Sequence, residues 1–265
     1  MKILTAAALL LTFLVIVLGA YTRLKDAGLG CPDWPGCYGT LTVPQSAEQI
    51  QDSFPDVQLN RGKAWIEVAH RMVAGSLGLF VFLLTFLDFR ASRRHKYKMS
   101  RILIFASLMV VGQSLLGMWT VTLQLLPQVV TAHLFGGLTI LSLLFLRLAH
   151  LHLNPLNSLG PHNPEEASRP EKNSQQKSQI ITYGYVGLAL VIMQIFLGGW
   201  VSTNYASLAC TDFPLCNGEW VPPSDFGSGF NLLHPIGENY EGGVLNDSAQ
   251  VAIHWAHRVG ALLVT

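Results

Sequence analysis

A series of long apolar runs restricts the fold of this chain more than any other feature. Half of the 265 residues are hydrophobic and only 12% are charged, a composition typical of membrane proteins. Crossing about 30 Å of hydrocarbon takes about 20 apolar residues. Runs of this kind lie near residues 3–22, 64–88, 101–123, 128–149 and 180–203, and a sixth starts near 249 and continues to Thr265. We therefore predict an all-α, polytopic transmembrane helical bundle with about six helices present, the last truncated, because chains seldom end inside a hydrophobic helix.

The first run resembles a signal peptide, since Lys2 precedes an apolar stretch that ends at Ala20. A cut after Ala20 would require a small residue at position 18, which is Leu18. The same segment also recurs in the interior of the chain, so we predict a retained membrane anchor.

Two segments of the chain are near copies of each other, at a constant offset of 179 residues. The first copy contains Leu18, Gly19, Ala27, Leu29, Cys31, Asp33, Pro35, Cys37 and Gly39, and the second contains Leu197, Gly198, Ala206, Leu208, Cys210, Asp212, Pro214, Cys216 and Gly218. Each copy is followed by a His-Arg pair that opens an apolar helix, His70-Arg71 and His257-Arg258. This repetition predicts a duplicated helical unit that carries a duplicated site.

The distribution of Lys and Arg predicts the orientation in the membrane. The 90–101 and 150–179 connections are basic, whereas 203–257 contains no Lys or Arg, so we place the first two in the cytoplasm and the third outside. The N-terminus is then cytoplasmic. A linker rich in Pro, Asn, Ser and Gln divides the chain into an N-terminal half, 1–150, a cytoplasmic linker, 151–179, and a C-terminal half, 180–265. The net charge of +1 selects no partner, and we expect the lipid membrane but no nucleic acid.

Three histidines lie inside predicted membrane helices, where an ionisable side chain is costly. His70, His133 and His257 all fall roughly 9 to 12 Å below the outer surface, at 1.5 Å per helical residue. A single such histidine is more often a buried polar residue satisfied by a neighbouring helix. Three at one depth favour a haem layer, in which imidazoles from two facing helices bind one iron. His70 and His133 would form one pair, and His257 would form half of a second.

Glu67 precedes His70 by three residues and shares its helical face. A salt bridge near the interface is the structural alternative, while the functional one is a proton acceptor beside the iron. The second copy has His254 at this position. We read that asymmetry as one catalytic half and one half that holds a permanent cofactor.

Arginines and cysteines complete the candidate site on the outer side. Arg71 and Arg258 are candidate contacts of haem propionates, with snorkelling to the headgroups as the alternative. The even number of cysteines, all on the oxidising side, predicts disulfides, most simply Cys31 with Cys37 and Cys210 with Cys216. A structural staple is favoured over a redox-active pair.

Taken together, these motifs resemble the haem A synthase family along essentially the whole chain. The resemblance rests on Gly19-Ala-Tyr-Thr-Arg-Leu24, the Cys31 loop, Glu67-x-x-His70-Arg71, Thr131-Ala-His133 and His257-Arg258. It implies eight helices in two pseudo-symmetric four-helix halves. The implied activity oxidises a methyl group of haem O to a formyl group, giving haem A for terminal oxidases in a bacterial plasma membrane.

The same resemblance assigns roles to residues. His70 and His133 match the ligands of the substrate haem, Glu67 the acidic residue needed for activity, and His257 a ligand of the cofactor, haem b. Haem O synthase and cytochrome oxidase assembly factors are candidate partners, and the oligomeric state, including a homo-oligomer, stays open. Two other functions remain: a bis-histidine electron-transfer cytochrome b, which would not need Glu67, and a quinone-linked disulfide oxidase, which would not need the histidines.

Overall fold

The structure is a computed structural model that describes residues 1–55, 57–95, 98–153 and 174–265. Seven α-helices follow one another in these ranges, and no β-strand occurs within them. The helices are α1 (Lys2–Leu24), α2 (Arg61–His95), α3 (Arg101–Thr122), α4 (Pro127–Leu153), α5 (Ser174–Thr203), α6 (Phe226–Gly229) and α7 (Asp247–Val264). The all-helical prediction is confirmed.

Five helices are long and apolar enough to cross a membrane: α1, α2, α3, α4 and the Ser178–Thr203 part of α5. Each of the five corresponds to one of the five complete apolar runs of the sequence. Helix α7 starts where the sixth run was predicted and has 18 residues. Most of the predicted linker, residues 154–173, lies outside the described residues, while its two ends belong to α4 and α5.

The described chain forms two compact units, which we treat separately. Unit 1 comprises Met1–His152 together with Leu233–Glu241, and unit 2 comprises Leu153–Leu232 and Gly242–Thr265. The sequence assigned Leu233–Glu241 to the C-terminal half. Its membership of unit 1 follows from Tyr240, which is 1% exposed and buried in an apolar cluster with Leu125 and Leu126 at the turn between α3 and α4.

Unit 1 has one hydrophobic core that all four of its long helices share. The core residues are Ala8, Leu77, Val81, Leu84, Leu103, Ala106, Val110, Ile140 and Leu144. An ion pair lies at the end of the bundle predicted to be cytoplasmic, where Arg147 of α4 donates to Asp88 of α2 at 2.8 Å. Asp88 also accepts the N–H of Ser100, the residue that precedes α3, at 2.8 Å. One buried carboxylate thus fixes the ends of three helices.

Two long loops on the predicted outer side carry the cysteines. The first loop, residues 25–60, joins α1 to α2, and Asn60 accepts the N–H of Lys63 as α2 begins. The second loop, residues 204–246, joins α5 to α7, and Asn246 caps α7 by accepting the N–H of Ala249. By contrast, α3 and α4 are joined by only four residues, 123–126. The two cysteine loops therefore lie above the starts of α2 and α7.

Candidate functional site

The cysteines of each loop are joined in a local disulfide, Cys31 to Cys37 and Cys210 to Cys216. Both pairings are the ones that the repeated spacing predicted. Cys31 and Cys37 are completely buried. Next to each disulfide an aspartate closes the turn, and Asp33 accepts the N–H of Tyr38 at 2.6 Å and that of Gly39 at 2.8 Å. These contacts make each loop a rigid cap.

Asp212 closes the second loop in the same way, by accepting the N–H of Gly218 at 2.9 Å and that of Asn217. These backbone donors, that of Gly218 first, hold the pKa of Asp212 below its ordinary value, because they stabilise the ionised carboxylate. The aspartates of the repeated motif therefore act on the loops themselves.

Glu67 fastens the first loop to helix α2. Its side chain is 4% exposed, one oxygen accepts the N–H of Cys31 at 2.7 Å, and the other is paired with the guanidinium of Arg71. Arg71 also donates to the carbonyl of Asp33 at 2.9 Å and to that of Gly36. The i, i+4 spacing places Glu67 and Arg71 on one face, and their ion pair is the salt bridge that the sequence offered as the structural alternative for Glu67.

The second copy builds the same anchor without a carboxylate. His254 accepts the N–H of Cys210 on Nδ1 at 3.1 Å, in the place where Glu67 accepts that of Cys31. Arg258 donates to the carbonyls of Asp212, Leu215 and Cys210, the last at 3.0 Å. The anchoring geometry is therefore shared by the two copies, whereas the negative charge belongs to the first alone.

The two arginines, predicted as propionate contacts, use most of their donors on the loops. Arginine has five N–H donors. Among the described contacts, Arg71 spends three of them on the loop and on Glu67, and Arg258 spends four on the loop and on His254. Donors remain on both side chains, so the propionate contacts stay a prediction.

The three histidines predicted as haem ligands each pack against a glycine of the preceding long helix. A Cβ added to Gly19 of α1 would lie 2.9 Å from Cε1 of His70, and one added to Gly117 of α3 would lie 3.4 Å from Cε1 of His133. In unit 2 a Cβ on Gly198 of α5 would lie 3.1 Å from Cε1 of His257. At each of the three sites, the absence of a side chain on the glycine lets the imidazole ring lie against the neighbouring helix.

Unit 1 places His70 and His133 in the same part of the bundle. His70 packs on Gly19 of α1, and a Cβ added to Gly137, one turn after His133, would lie 3.6 Å from Cγ1 of Ile16, one turn before Gly19. Both Nδ1 atoms are buried and have no hydrogen-bond partner among the described residues. No group of three or more His, Cys, Asp or Glu residues in the described parts of the chain could hold a simple metal ion, and both cysteine pairs are oxidised. Two neutral nitrogen ligands from separate helices, in an apolar bundle without thiolates, fit haem iron.

The fold and this arrangement define a class: a multi-pass helical membrane protein with histidine sites beneath disulfide-closed loops. A family model for the cytochrome oxidase assembly proteins, COX15-CtaA, matches residues 2–265. The chain belongs to that family.

Curated relatives named heme A synthase share this sequence over most of its length. The protein of Shewanella oneidensis is 41% identical over 96% of this chain and 73% of its own. Those of Shouchella clausii and Mesorhizobium japonicum are 30% and 29% identical, over 79% and 97% of this chain. This chain spans 61% of the former's length and 68% of the latter's.

Proposed function

We propose that this chain is a haem A synthase, which oxidises a methyl group of haem O to the formyl group of haem A. The shared name of the curated relatives supports this activity. The observation that carries the assignment of roles is the difference between the two anchors. Glu67 and His254 hold their loops in the same way, so the charge of Glu67 is not required for anchoring, and we assign that charge to the chemistry.

In this proposal His70 and His133 hold the substrate haem in unit 1. The methyl carbon loses two hydrogens and gains one oxygen. With water as the source of that oxygen, the oxidation releases four protons to a base in the site and four electrons, which the cofactor haem would pass to an external acceptor. Glu67 lies one helical turn before His70 and is shielded by the first loop, where a carboxylate can accept a proton without bulk water. Arg71 keeps the carboxylate in place through their ion pair.

His257 of unit 2 is proposed to hold haem b as a permanent cofactor, which would supply electron transfer when bound. The ring of His257 rests on Gly198, and the side-chain nitrogen of Gln194 lies 3.0 Å from its Nδ1. Haem O synthase, as the source of the substrate, and oxidase assembly factors, as recipients of the product, are the partners that this function implies. We place the protein in a bacterial plasma membrane with a cytoplasmic N-terminus, where reporter fusions at Arg94 and Gly227 should score on opposite sides.

A quinone-linked disulfide oxidase fits the structure less well. Thiol–disulfide exchange requires an incoming thiolate to reach a sulfur atom. Cys31 and Cys37 are 0% exposed, and Cys210 and Cys216 are 5% and 1% exposed. The loops therefore present no accessible disulfide.

Replacing Glu67 by Gln tests the catalytic role and separates it from electron transfer alone. The amide oxygen of Gln can still accept the N–H of Cys31, so the loop stays anchored while the charge is removed. In the full-length protein we expect haem O to accumulate and haem A to fall by about 10²-fold or more, the low end for loss of a general base. His254→Gln, which changes the matching anchor of the second loop, is the control and should retain far more activity.

Unchanged haem A formation by Glu67→Gln would show that Glu67 only anchors the first loop. His257→Ala should deplete haem b from the purified protein without removing the haem site of unit 1. A wild-type protein that binds haem at both sites but never converts haem O would instead favour a bis-histidine cytochrome.

A further inference from the structure

The three histidine sites of the described chain share a contact between a glycine and the histidine, but only two of them also have a glutamine. Each has a glycine on one long helix that touches a histidine on a second: Gly19 and His70, Gly117 and His133, Gly198 and His257. Four residues before the glycine stand Val15, Gln113 and Gln194, and three residues after the histidine stand Val73, Gly136 and Gly260. The sites of His133 and His257 therefore share a Gln and a second Gly, and the site of His70 has two valines instead.

Gln113 of α3 reaches across to α4 and binds the backbone of His133. Its Nε2 donates to the carbonyl of His133 at 2.8 Å. The approach is close enough that a Cβ on Gly136 would lie 2.2 Å from this Nε2. Gly136 is thus required for the glutamine to lie where it does.

Gln194 of α5 repeats the arrangement in unit 2. Its Nε2 donates to the carbonyl of His257 at 3.1 Å and lies 3.0 Å from Nδ1 of the same residue. A Cβ on Gly260 would lie 2.3 Å from Oε1 of Gln194. Two occurrences of one constellation, in separate units, show that the amide is built to contact the histidine.

The unsatisfied atoms of the first occurrence indicate what the amide does for the ring. Oε1 of Gln113 and Nδ1 of His133 are both buried and without a hydrogen-bond partner among the described residues. An imidazole that binds iron through Nε2 must carry its proton on Nδ1, and that N–H needs an acceptor. The amide oxygen is an acceptor of the right kind, already held on the same residue by its nitrogen.

The site of His70 has no glutamine at the corresponding position. The residue in the place of the glutamine is Val15, which packs against the apolar core of unit 1. Nδ1 of His70 is buried without a hydrogen-bond partner in the described part of the chain. Its ring packs on Gly19.

We propose that Gln113 and Gln194 are positioning residues that fix His133 and His257, and that His70 is the exchangeable ligand of the substrate haem. This inference rests on the proposed function, in which His70 and His133 bind one haem. A site that must take up haem O and release haem A needs one firmly positioned ligand and one ligand that dissociates readily from the iron. A permanent cofactor site needs a firmly positioned ligand, and His257 has Gln194 beside it.

The first experiment measures binding of added ferric haem b to the purified full-length protein, with His257→Ala in every variant to remove the site of unit 2. We expect His70→Ala to weaken binding by less than about tenfold and to convert the spectrum from low-spin to high-spin. His133→Ala should weaken binding by about 100-fold, the upper end for a disturbed metal site. Equal losses in the two variants, or the reverse order, would overturn the proposal.

A second experiment tests the glutamine by its spectroscopic effect. Gln113→Leu should speed haem dissociation by about 10- to 100-fold and reduce the low-spin fraction, and Gln113→Met, which keeps the length of the side chain but has no amide, should do the same. The double variant Val15→Gln, Val73→Gly rebuilds the constellation around His70 and should slow both haem dissociation and carbon monoxide binding to the reduced protein. No change in any of these rates, in variants with normal helical content, would refute the positioning role. If the His257→Ala protein binds no haem at all, the proposed function fails first.

Discussion

Arg71 is the residue whose replacement should most selectively loosen the first loop. Its guanidinium bonds two loop carbonyls, those of Asp33 and Gly36, and the carboxylate of Glu67. Lysine in its place keeps a positive charge near Glu67 but presents no planar fork. Arg71→Lys therefore removes one of the two carbonyl contacts while leaving an ion pair.

The expected loss of free energy that holds the first loop closed follows from the hydrogen bonds removed. A hydrogen bond that involves a charged group contributes about 1.5–3 kcal/mol. Since the lysine ammonium can remake one of the two carbonyl bonds, the net loss is about 1.5–3 kcal/mol. At 1.4 kcal/mol per factor of ten, the open form of the loop becomes about 10- to 150-fold more populated.

Reduction of the Cys31–Cys37 disulfide reports this opening, because both sulfur-bearing residues are completely buried and a reductant can reach them only in the open form. A water-soluble phosphine followed by maleimide labelling and mass spectrometry gives the rate for each disulfide separately. Arg258→Lys is the matched control, since it should accelerate reduction of Cys210–Cys216 and leave the first disulfide unchanged. Reduction rates within threefold of wild type in both variants would show that the arginines do not hold the loops.

Three further outcomes follow from other contacts. Gly19→Ala should perturb the haem spectrum of unit 1, because its Cβ would lie 2.9 Å from the site histidine, whereas Gly112→Ala, where a Cβ meets nothing within 4 Å, should not. Asp88→Ala should lower the free energy of unfolding of the detergent-solubilised protein by about 3–5 kcal/mol, since it leaves Arg147 buried without the carboxylate of Asp88. The Cys210–Cys216 disulfide of the second loop should become more readily reduced in acid. Because the pKa of Asp212 is lowered in the folded loop, its carboxylate stabilises that loop above its ordinary pKa, and this contribution is lost as the pH falls through the lowered pKa.

Hydrophobicity alone predicted the helices, but not all of their length. The run near 101–123 corresponds closely to helix α3, Arg101–Thr122. Helix α2 extends to Arg61–His95, well beyond the apolar run at 64–88, because its polar ends are stabilised by a side-chain cap at Asn60 and by solvent rather than by burial. Length and apolarity detect the part of a helix inside the membrane and miss the part outside it.

Contacts between distant parts of the chain could not be predicted from the sequence. The pairing of cysteines six residues apart followed from local spacing, and the structure has both bonds. The packing of Leu233–Glu241 in unit 1 depends on Tyr240 finding apolar partners more than a hundred residues earlier. No periodicity or motif within that segment indicates the partner. The hydrogen bond from the N–H of Cys31 to Glu67 was not predicted either, because the i, i+3 relation to His70 gives only the helix face on which Glu67 lies.

The position three residues before each histidine shows how one helix pair was adapted to different tasks. Where a cysteine loop lies above, this position holds a polar acceptor for the loop, Glu67 or His254. Before His133, whose helix follows a four-residue turn, it holds Val130, which packs with Tyr240 in an apolar cluster. The acceptor thus accompanies the loop rather than the histidine, which accounts for its presence in two sites out of three. Loop anchoring does not account for the carboxylate, because an imidazole accepts the corresponding N–H of the second loop. This remaining difference singles out Glu67 as the residue to test first.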